Sequence, residues 1–336
     1  MNKFMLNLHT TIDQLETFAD HPSAFLATNE ETQIFTSEKV PGLIAYQKSG
    51  RRYIVMVAGI SSRGENKSIL LADFMRWAKS QQRNVTAIQM LRDDAIELAK
   101  QGFTVNQVGS SFCLELKNFS LAGKRFMKLR NKISQARRSG VKILEFGKDI
   151  AFTSDIASQI RQIDDMWLKS KGNHSYAFLI GEVGDLRRFD CSVKRLFLAV
   201  YESRIIAYIL YTPSYGNYQG WMHDLTRRLP TAPAGIMELL NISAIDAFRS
   251  ECVSHLNFGF TPLANLNPEL ELPGHSLLVS KILTFMGSRN LLYPVHTQTQ
   301  YKLKWEPRIV LPEYIAFHPG FSLMGLLNVL RLTKAV

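Results

Sequence analysis

The chain has 336 residues, of which 46% are hydrophobic and 21% are charged. That composition is typical of a folded globular protein and excludes an intrinsically disordered chain. The net charge of +11 and the pI near 9.5 favour a polyanionic partner, either nucleic acid or anionic lipid. The alternative is a basic globular enzyme that binds no polyanion.

Targeting and cofactor signals are sparse. No apolar stretch reaches the length of a membrane-spanning helix, and the apolar start is too short for a secretory signal. The three cysteines are widely spaced and odd in number, which favours a reducing cytoplasm. The eight histidines show no metal-ligand spacing, and no nucleotide-binding loop occurs. We therefore predict neither a metal nor a cofactor.

The first part of the chain alternates between strand and helix patterns. Residues 52–59 and 85–91 are β-branched apolar runs that predict buried strands, and residues 111–117 predict a third. Residues 68–81 and 93–102 carry apolar side chains at helical spacing. These patterns predict an α/β lobe over residues 1–120 that carries no recognisable chemistry.

A basic segment follows, with apolar residues at helical spacing that predict a connecting helix within residues 121–150. No acidic residue lies between Lys124 and Lys142, and we expect the basic side chains to have no internal ion-pair partners. Such a run favours either a polyanion or a solvated helix face. The predicted tRNA-binding residues are Lys124, Lys128, Arg130, Arg137 and Arg138.

Residues 151–336 predict a second lobe. A helix begins near Ser154, three strands follow over residues 195–225, a helix begins near Pro233, and a strand and a helix come after it. This order is typical of GNAT-type acyltransferases, although other α+β folds share it. The apolar stretch over residues 319–336 predicts either a helix docked on the core or an amphipathic helix at a membrane interface.

Two segments are the most informative: W-M-H-D-L-T-R-R-L-P-T-A-P-A-G-I-M-E-L-L (221–240) and L-N-F-G-F-T-P-L-A (256–264). Together with the basic segment from Lys128 to Val141, they resemble the C-terminal catalytic domain of the phosphatidylglycerol lysyltransferase family. The resemblance implies two tandem GNAT-like lobes joined by a long basic helix. It also implies transfer of an aminoacyl group from aminoacyl-tRNA to a lipid hydroxyl.

The D-L-x-R-R element supplies the first candidate site residues. Asp224 is predicted either to bind the α-amino group of the aminoacyl moiety or to act as general base. Arg227 and Arg228 are predicted to bind phosphates of tRNA or lipid, because guanidinium groups bind phosphate in a bidentate manner. Since side chains alternate along a strand, His223 and Asp224 are expected to face opposite ways.

Three further elements complete the predicted site. Pro233 and Gly235 lead into a helix whose free N–H groups are suited to an anion, and the single glycine matches a coenzyme A loop poorly. Asn257 and Gly259 are either ester-binding residues or a turn residue and a packing glycine. The segment Y-K-L-K-W-E-P-R (301–308) resembles the family's F-K-x-K-F-x-P, which predicts Lys302 and Lys304 on one face of a strand.

The sequence therefore predicts an aminoacyl-tRNA-dependent aminoacyltransferase with Asp224, Arg227 and Lys302 as catalytic residues. An acyl-CoA-dependent GNAT N-acyltransferase is the alternative, and a basic scaffold without catalysis is a third possibility. The acceptor is either a phosphatidylglycerol-like lipid or a small hydroxyl or amine compound. An acidic residue that the family often has before the F-K-x-K-F segment is absent here, which leaves the transferred amino acid open. We expect a cytoplasmic protein at the inner face of the cell membrane or free of it.

Overall fold

A computed structural model describes residues 3–170, 181–288 and 295–332. The described α-helices are α1 (Lys3–Phe18), α2 (Asn66–Ser80), α3 (Arg92–Lys100), α4 (Met127–Arg138), α5 (Ser154–Ser170), α6 (Ile236–Ser250), α7 (Leu277–Ser288), α8 (Val295–Leu303) and α9 (Leu323–Leu332). The strands are β1 (Gln33–Phe35), β2 (Leu43–Ser49), β3 (Tyr53–Ser61), β4 (Asn84–Met90), β5 (Thr104–Glu115), β6 (Lys142–Glu145), β7 (Arg195–Tyr201), β8 (Arg204–Ser214), β9 (Gly220–Arg228), β10 (His255–Pro262) and β11 (Ile309–His318).

All of these strands form one mixed sheet in the order β1-β2-β3-β4-β11-β5-β10-β9-β8-β7-β6. Each half of the sheet begins as an antiparallel meander, β1-β2-β3 or β7-β8-β9. Each meander is followed by a helix and a parallel strand, α2 with β4 or α6 with β10. The next strand of each half then pairs with the other half: β5 lies against β10, and β11 lies against β4. This exchange joins the halves into a continuous sheet.

The core follows the sheet on both faces. Buried side chains of α4 and α6 pack against β5, β7 and β8, and α5 packs in a separate cluster against β7 and β8. In the other half, α2 and α3 cover one face of β3 and β4, while α7 and α9 share a cluster with residues of β3 and β11. The predicted α/β class is confirmed by this arrangement.

The basic connecting helix is shorter than predicted. Only Met127–Arg138 form α4, and the predicted segment 121–150 also contains β6. Gly140, with a φ of 83°, follows the end of the helix, as its position in the sequence indicates. Among the described residues, no helix is long and apolar enough to cross a bilayer.

The C-terminal segment 301–308 was predicted as a strand, and that prediction is wrong. Residues Val295–Leu303 form α8, which packs on β10, and β11 begins only at Ile309. Alternating polar and apolar residues over so short a segment fit either structure, and packing decides between them. Of the two alternatives for the C-terminal helix, docking on the core is confirmed, since Leu326 and Val329 of α9 are buried in it.

Candidate functional site

Asp224 lies at an irregularity in β9. Along the pair of β8 and β9, Leu210 is opposite Leu225 but Tyr211 is opposite His223, so Asp224 is an extra residue in β9. Such a bulge re-aims a side chain and interrupts the regular alternation of the strand. Asp224 therefore has no paired residue on β8.

Two donors hold that carboxylate in place. The backbone N–H of Gly181 donates to Oδ1 at 2.6 Å, and the hydroxyl of Thr212 donates to Oδ2 at 2.9 Å. A Cβ atom on Gly181 would clash with the carboxylate, so only glycine allows this approach. Burial raises the pKa of Asp224, while these two hydrogen bonds and the charge of Lys194 oppose the shift.

Lys194 is a site residue that the sequence did not indicate. Its ammonium donates to the carbonyl oxygen of Glu182 at 2.9 Å and lies 5.9 Å from the centre of the Phe25 ring. Burial lowers the pKa of Lys194, and the charges of Asp224 and Glu182 act in the opposite direction. No sequence motif marks this lysine, because its partners come from distant parts of the chain.

Arg227 is buried beneath the neighbouring helix α5. The guanidinium carbon lies 3.8 Å from the centre of the Trp167 ring, and Nε lies 3.7 Å from the Asp164 carboxylate. Tyr208 donates its hydroxyl proton to the same carboxylate. Nε is buried without a hydrogen-bond partner among the described residues, while Nη1 donates to the Thr226 carbonyl at 3.0 Å.

A cavity of about 330 Å³ opens beside Arg227. It lies between α5 and the segment 181–186, and Arg161, Asp164, Gly181, Asp185, Leu225 and Arg227 contribute to its wall. Asp224 does not line this cavity itself, but its carboxylate accepts from the backbone N–H of Gly181, which does. Of the predicted catalytic residues, Arg227 therefore lines the cavity and Asp224 is connected to its wall through Gly181.

His223 faces away from Asp224, as predicted. It is buried against the rings of Tyr211, Phe258 and Tyr301. Burial, together with the charge of Lys302, lowers the pKa of His223 to about 3, so the imidazole is neutral at physiological pH.

Lys302 lies on this second side rather than with Asp224. Its nitrogen donates to the carbonyl oxygens of Gly259 at 2.7 Å and Phe260 at 3.0 Å. Burial lowers the pKa of Lys302 to about 7, and the charge of Glu313 opposes that effect. The side chain therefore links the end of α8 to the irregular part of β10. No contact between Lys302 and Asp224 occurs among the described residues, and the catalytic role of Lys302 stays a prediction.

Lys304 is also held internally. Its nitrogen donates to the Glu238 carboxylate at 2.8 Å and lies 4.6 Å from the centre of the Tyr301 ring. Burial raises the pKa of Glu238, but the hydrogen bond and charge of Lys304 outweigh it and hold the pKa below the ordinary value. Because Lys302 is helical and Lys304 follows the helix, the predicted shared strand face does not form.

The remaining predicted residues are explained mainly by packing. Gly235, with a φ of 85°, precedes α6, and a Cβ there would clash with the Lys132 carbonyl of α4. Asn257 is buried and donates to Ser214 Oγ at 3.1 Å and to the Tyr218 carbonyl at 3.0 Å. A Cβ on Gly259 would clash with Met222. Pro233 precedes α6, and Arg228 is exposed at the end of β9.

The basic segment divides into exposed and engaged side chains. Lys124, Lys128, Arg137 and Arg138 are exposed. Arg130 instead donates to the Leu121 carbonyl at 2.5 Å and to the Gly123 carbonyl at 2.7 Å.

Two side chains of the run have ion-pair partners elsewhere in the fold, as the solvated-face alternative expects. Arg125 pairs with Glu306 at 2.9 Å, and Lys132 lies 3.8 Å from Glu238. A second cavity, of about 410 Å³, lies beside Arg125, Phe126 and Trp305, at the start of this segment.

The fold is that of lysylphosphatidylglycerol synthetase C-terminal domains. The C-terminal domain of a protein described as such a synthetase from Agrobacterium fabrum covers 98% of this chain with a TM-score of 0.76 and 19% identity, over 96% of its own length. L-PGS from Bacillus licheniformis covers 96% of the chain with a TM-score of 0.77 and 20% identity, over 95% of its own length.

The amino-acid sequence identifies the family. Residues 13–317 match the family Phosphatidylglycerol lysyltransferase, C-terminal, and the chain belongs to that family. The phosphatidylglycerol lysyltransferase of Bacillus subtilis is 24% identical over 70% of the chain and 27% of its own length. The lysylphosphatidylglycerol biosynthesis bifunctional protein LysX of Rhodococcus jostii is 32% identical over 42% of the chain. The chain covers only 12% of that LysX protein, so it corresponds to a small part of the relative.

Proposed function

We propose that this chain transfers an aminoacyl group from aminoacyl-tRNA to a hydroxyl or amine of a phosphatidylglycerol-like lipid or a small molecule. Its family and the names of its relatives support an aminoacyltransferase. The observation that carries the proposal is the Asp224 carboxylate, fixed by Gly181 and Thr212 beside the cavity that Arg227 lines.

The chemistry needs a base and a cation more than it needs a cofactor, because an aminoacyl ester is already activated. The acceptor oxygen or nitrogen attacks the ester carbonyl while its proton passes to Asp224. The bond from the carbonyl carbon to the ribose oxygen then breaks, and that oxygen leaves with the proton. Burial, by raising the pKa of Asp224, makes the carboxylate a stronger base than an exposed one.

We assign Arg227 to an anionic part of a substrate. It lines the cavity, and Trp167 and Asp164 fix its orientation. A phosphate of lipid or of the tRNA terminus has the charge and geometry for such a group. Arg228, exposed at the end of the same strand, is proposed to contact a phosphate further out.

The second side of β9 is assigned a supporting role. Lys302 holds the carbonyls of Gly259 and Phe260, and in this geometry it acts as a positioning residue for β10. Lys304, Asn257, Gly235 and Pro233 are proposed to shape the site through packing and internal hydrogen bonds.

We further propose two tandem GNAT-like lobes, residues 1–120 and 151–336, connected by residues 121–150. The repeated order of meander, helix and parallel strand in the two halves supports this division. Both meanders also carry an irregularity in their last strand. In β3 it lies between Val57 and Ile60, at the place that corresponds to Asp224 in β9.

The irregularity in the first half is filled by the protein's own side chains. Ile60 donates its N–H to Asp94 at 3.3 Å, and Lys67 pairs with the same carboxylate at 2.8 Å. A Cβ on Gly59 would clash with Asp94. This filling supports placing the active site in the second half alone.

For the tRNA, we propose a surface made by the exposed basic side chains Lys124, Lys128, Arg137 and Arg138. Their charges are suited to the phosphate backbone, which gives affinity without sequence reading. Arg130 is predicted to contribute little, because its guanidinium holds the loop before α4. A lipid acceptor would place the enzyme at the inner face of the cell membrane.

The test is a transfer assay with purified protein. Each of a set of radiolabelled aminoacyl-tRNAs is mixed with phosphatidylglycerol vesicles or with small hydroxyl and amine acceptors, and labelled product is separated from tRNA. We expect product from at least one aminoacyl-tRNA without ATP or metal. No product with any donor, together with acylation of an amine by acetyl-CoA, would replace the proposal with the acyl-CoA alternative.

A further inference from the structure

Two pairs of large apolar side chains are exposed on α7 and α9. Leu277 and Leu278 are 69% and 60% exposed, and Leu323 and Met324 are 61% and 47% exposed. Most large apolar residues of the described chain are buried, so four such side chains at two helix starts call for an explanation. Each helix also buries an opposite face, through Val279 on α7 and Val329 on α9.

The two pairs belong to one edge and one face of the sheet. Tyr53 at the start of β3 pairs with Asn84 at the start of β4, and Thr104 at the start of β5 pairs with Phe317 near the end of β11. These strand ends define a single edge, because His318, next to Phe317, pairs with Val85.

Hydrogen bonds fix both helix starts to that edge. The Ser322 hydroxyl, directly before Leu323, lies 3.0 Å from the hydroxyl of Tyr53. The Asn106 amide donates to the Ser276 carbonyl, directly before Leu277, at 3.0 Å. Because α7 and α9 bury their other faces in the same core cluster, the two apolar pairs lie on the same side of the sheet.

The charges around these pairs are positive. Neither α7 nor α9 contains an acidic residue, and Lys281 and Arg331 are exposed one or two turns after the apolar pairs. The turn before β3 adds exposed Arg51 and Arg52, next to Tyr53. These apolar and basic residues together are called the apolar edge.

Glu271, six residues before Leu277, does not offset this charge at the surface. Glu271 is turned inward, where its carboxylate accepts from Asn106 and from Ser280 at 2.7 Å.

We infer that the apolar edge docks on an anionic lipid bilayer, with the Leu and Met side chains among the acyl chains and the basic side chains at the headgroups. Apolar side chains flanked by Lys and Arg are the combination that binds such a surface. RNA would use the cations but would leave the four apolar side chains in water. This docking rests on the proposed function, because it would bring the enzyme to a lipid acceptor. Membrane binding can nevertheless be measured without catalysis.

The experiment is vesicle flotation of the full chain. Wild-type protein, Leu277→Ser/Leu278→Ser and Leu323→Ser/Met324→Ser are mixed with phosphatidylglycerol–phosphatidylcholine vesicles and with pure phosphatidylcholine vesicles. We expect wild type to float with the anionic vesicles, less so at high salt, and each double variant to lose about tenfold or more of its partitioning. Ile69→Ser, at an apolar position 40% exposed on α2, is the matched control and should float as wild type does.

Transfer to a short-chain, monomeric phosphatidylglycerol separates this inference from the proposed function. The double variants should retain that transfer, and wild-type failure in it would overturn the lipid acceptor of the proposed function without bearing on docking. The docking inference is overturned if wild type binds no vesicle, if both double variants float like wild type, or if Ile69→Ser loses as much. A wild-type dimer that the double variants dissociate, or loss of tRNA binding in them, would assign the edge to another partner instead.

Discussion

The Asp224 carboxylate and the backbone N–H of Gly181 lie 2.6 Å apart, although 43 positions separate them in the chain. This contact ties the bulge of β9 to the segment that closes the cavity. A methyl group at position 181 would clash with the carboxylate.

Gly181→Ala should therefore displace the carboxylate and lower kcat on the order of 100-fold, the cost of a catalytic group misplaced by about 1 Å. Steady-state kinetics with labelled aminoacyl-tRNA would measure kcat and KM separately. A thermal midpoint close to that of wild type would show that the fold is intact. A kcat equal to that of wild type in this variant would show that catalysis does not depend on the contact between Gly181 and Asp224.

Lys194 should set the pH at which Asp224 becomes a base. Its charge opposes the effect of burial on the pKa of Asp224, so Lys194→Met should raise that pKa further. The acidic limb of the pH–rate profile then moves to higher pH, and activity falls by a larger factor at pH 6 than at pH 8. Lys169→Met, an exposed lysine on α5, should leave the profile in place. An unshifted pH–rate profile in Lys194→Met would show that the charge of Lys194 does not affect the pKa of Asp224.

The buried Lys302 should make stability depend on pH. Its pKa is about 7 in the folded chain, below the ordinary lysine value, so the unfolded chain binds more protons above pH 7. The free energy of unfolding therefore gains a positive slope between about pH 7 and the ordinary lysine pKa, and below pH 7 the full cost of the buried charge is present.

Urea denaturation of wild type and Lys302→Met at pH 6.5 and 9 measures this slope. The variant should lose the part of the increase that Lys302 contributes. An identical increase in both proteins would show that Lys302 has an ordinary pKa.

The exposed basic residues of α4 should bind tRNA. Lys128→Glu/Arg137→Glu should raise the Kd for aminoacyl-tRNA by about tenfold or more at low salt. The slope of log Kd against log salt concentration should fall by the amount expected for the loss of about two phosphate contacts. Filter binding over a salt series measures both effects. Lys79→Glu/Lys100→Glu, which places the same charge change on exposed positions of α2 and α3, is the matched control. An equal loss of tRNA affinity in the control would show that the effect comes from the net charge of the protein and not from the position of these two residues.

Arg130→Met separates binding from structure within the same segment. Arg130 donates to the carbonyls of Leu121 and Gly123, so its loss should lower the free energy of unfolding by about 1–3 kcal/mol. The affinity for tRNA should change little. A large loss of affinity with unchanged stability would return Arg130 to the tRNA surface that the sequence predicted.

Local patterns sufficed for much of the fold. The apolar runs at residues 52–59 and 85–91 became β3 and β4, and the helix expected at Ser154 begins there. Long-range pairing was not predictable, because β11 enters between β4 and β5 from the far end of the chain. The short helix α8 was mistaken for a strand, since its conformation depends on packing against β10.

The site was predictable only where its residues are adjacent in sequence. Asp224 and Arg227 belong to one motif; Arg227 lines the cavity, and Asp224 contacts Gly181 of its wall. Gly181, Thr212 and Lys194 come from separate segments and have no motif of their own, so only the fold reveals them. Lys302 was placed by resemblance to a family segment, which specifies residue types but not where a side chain points.

The central claim is that the Asp224 carboxylate accepts the acceptor's proton, and single-turnover transfer by Asp224→Asn tests it most directly. The amide keeps the shape and loses the base, so the rate should fall by about 100-fold to 10,000-fold while aminoacyl-tRNA still binds. Asp155→Asn, at an exposed position of α5, should react like wild type. Transfer by Asp224→Asn at the wild-type rate would contradict the account.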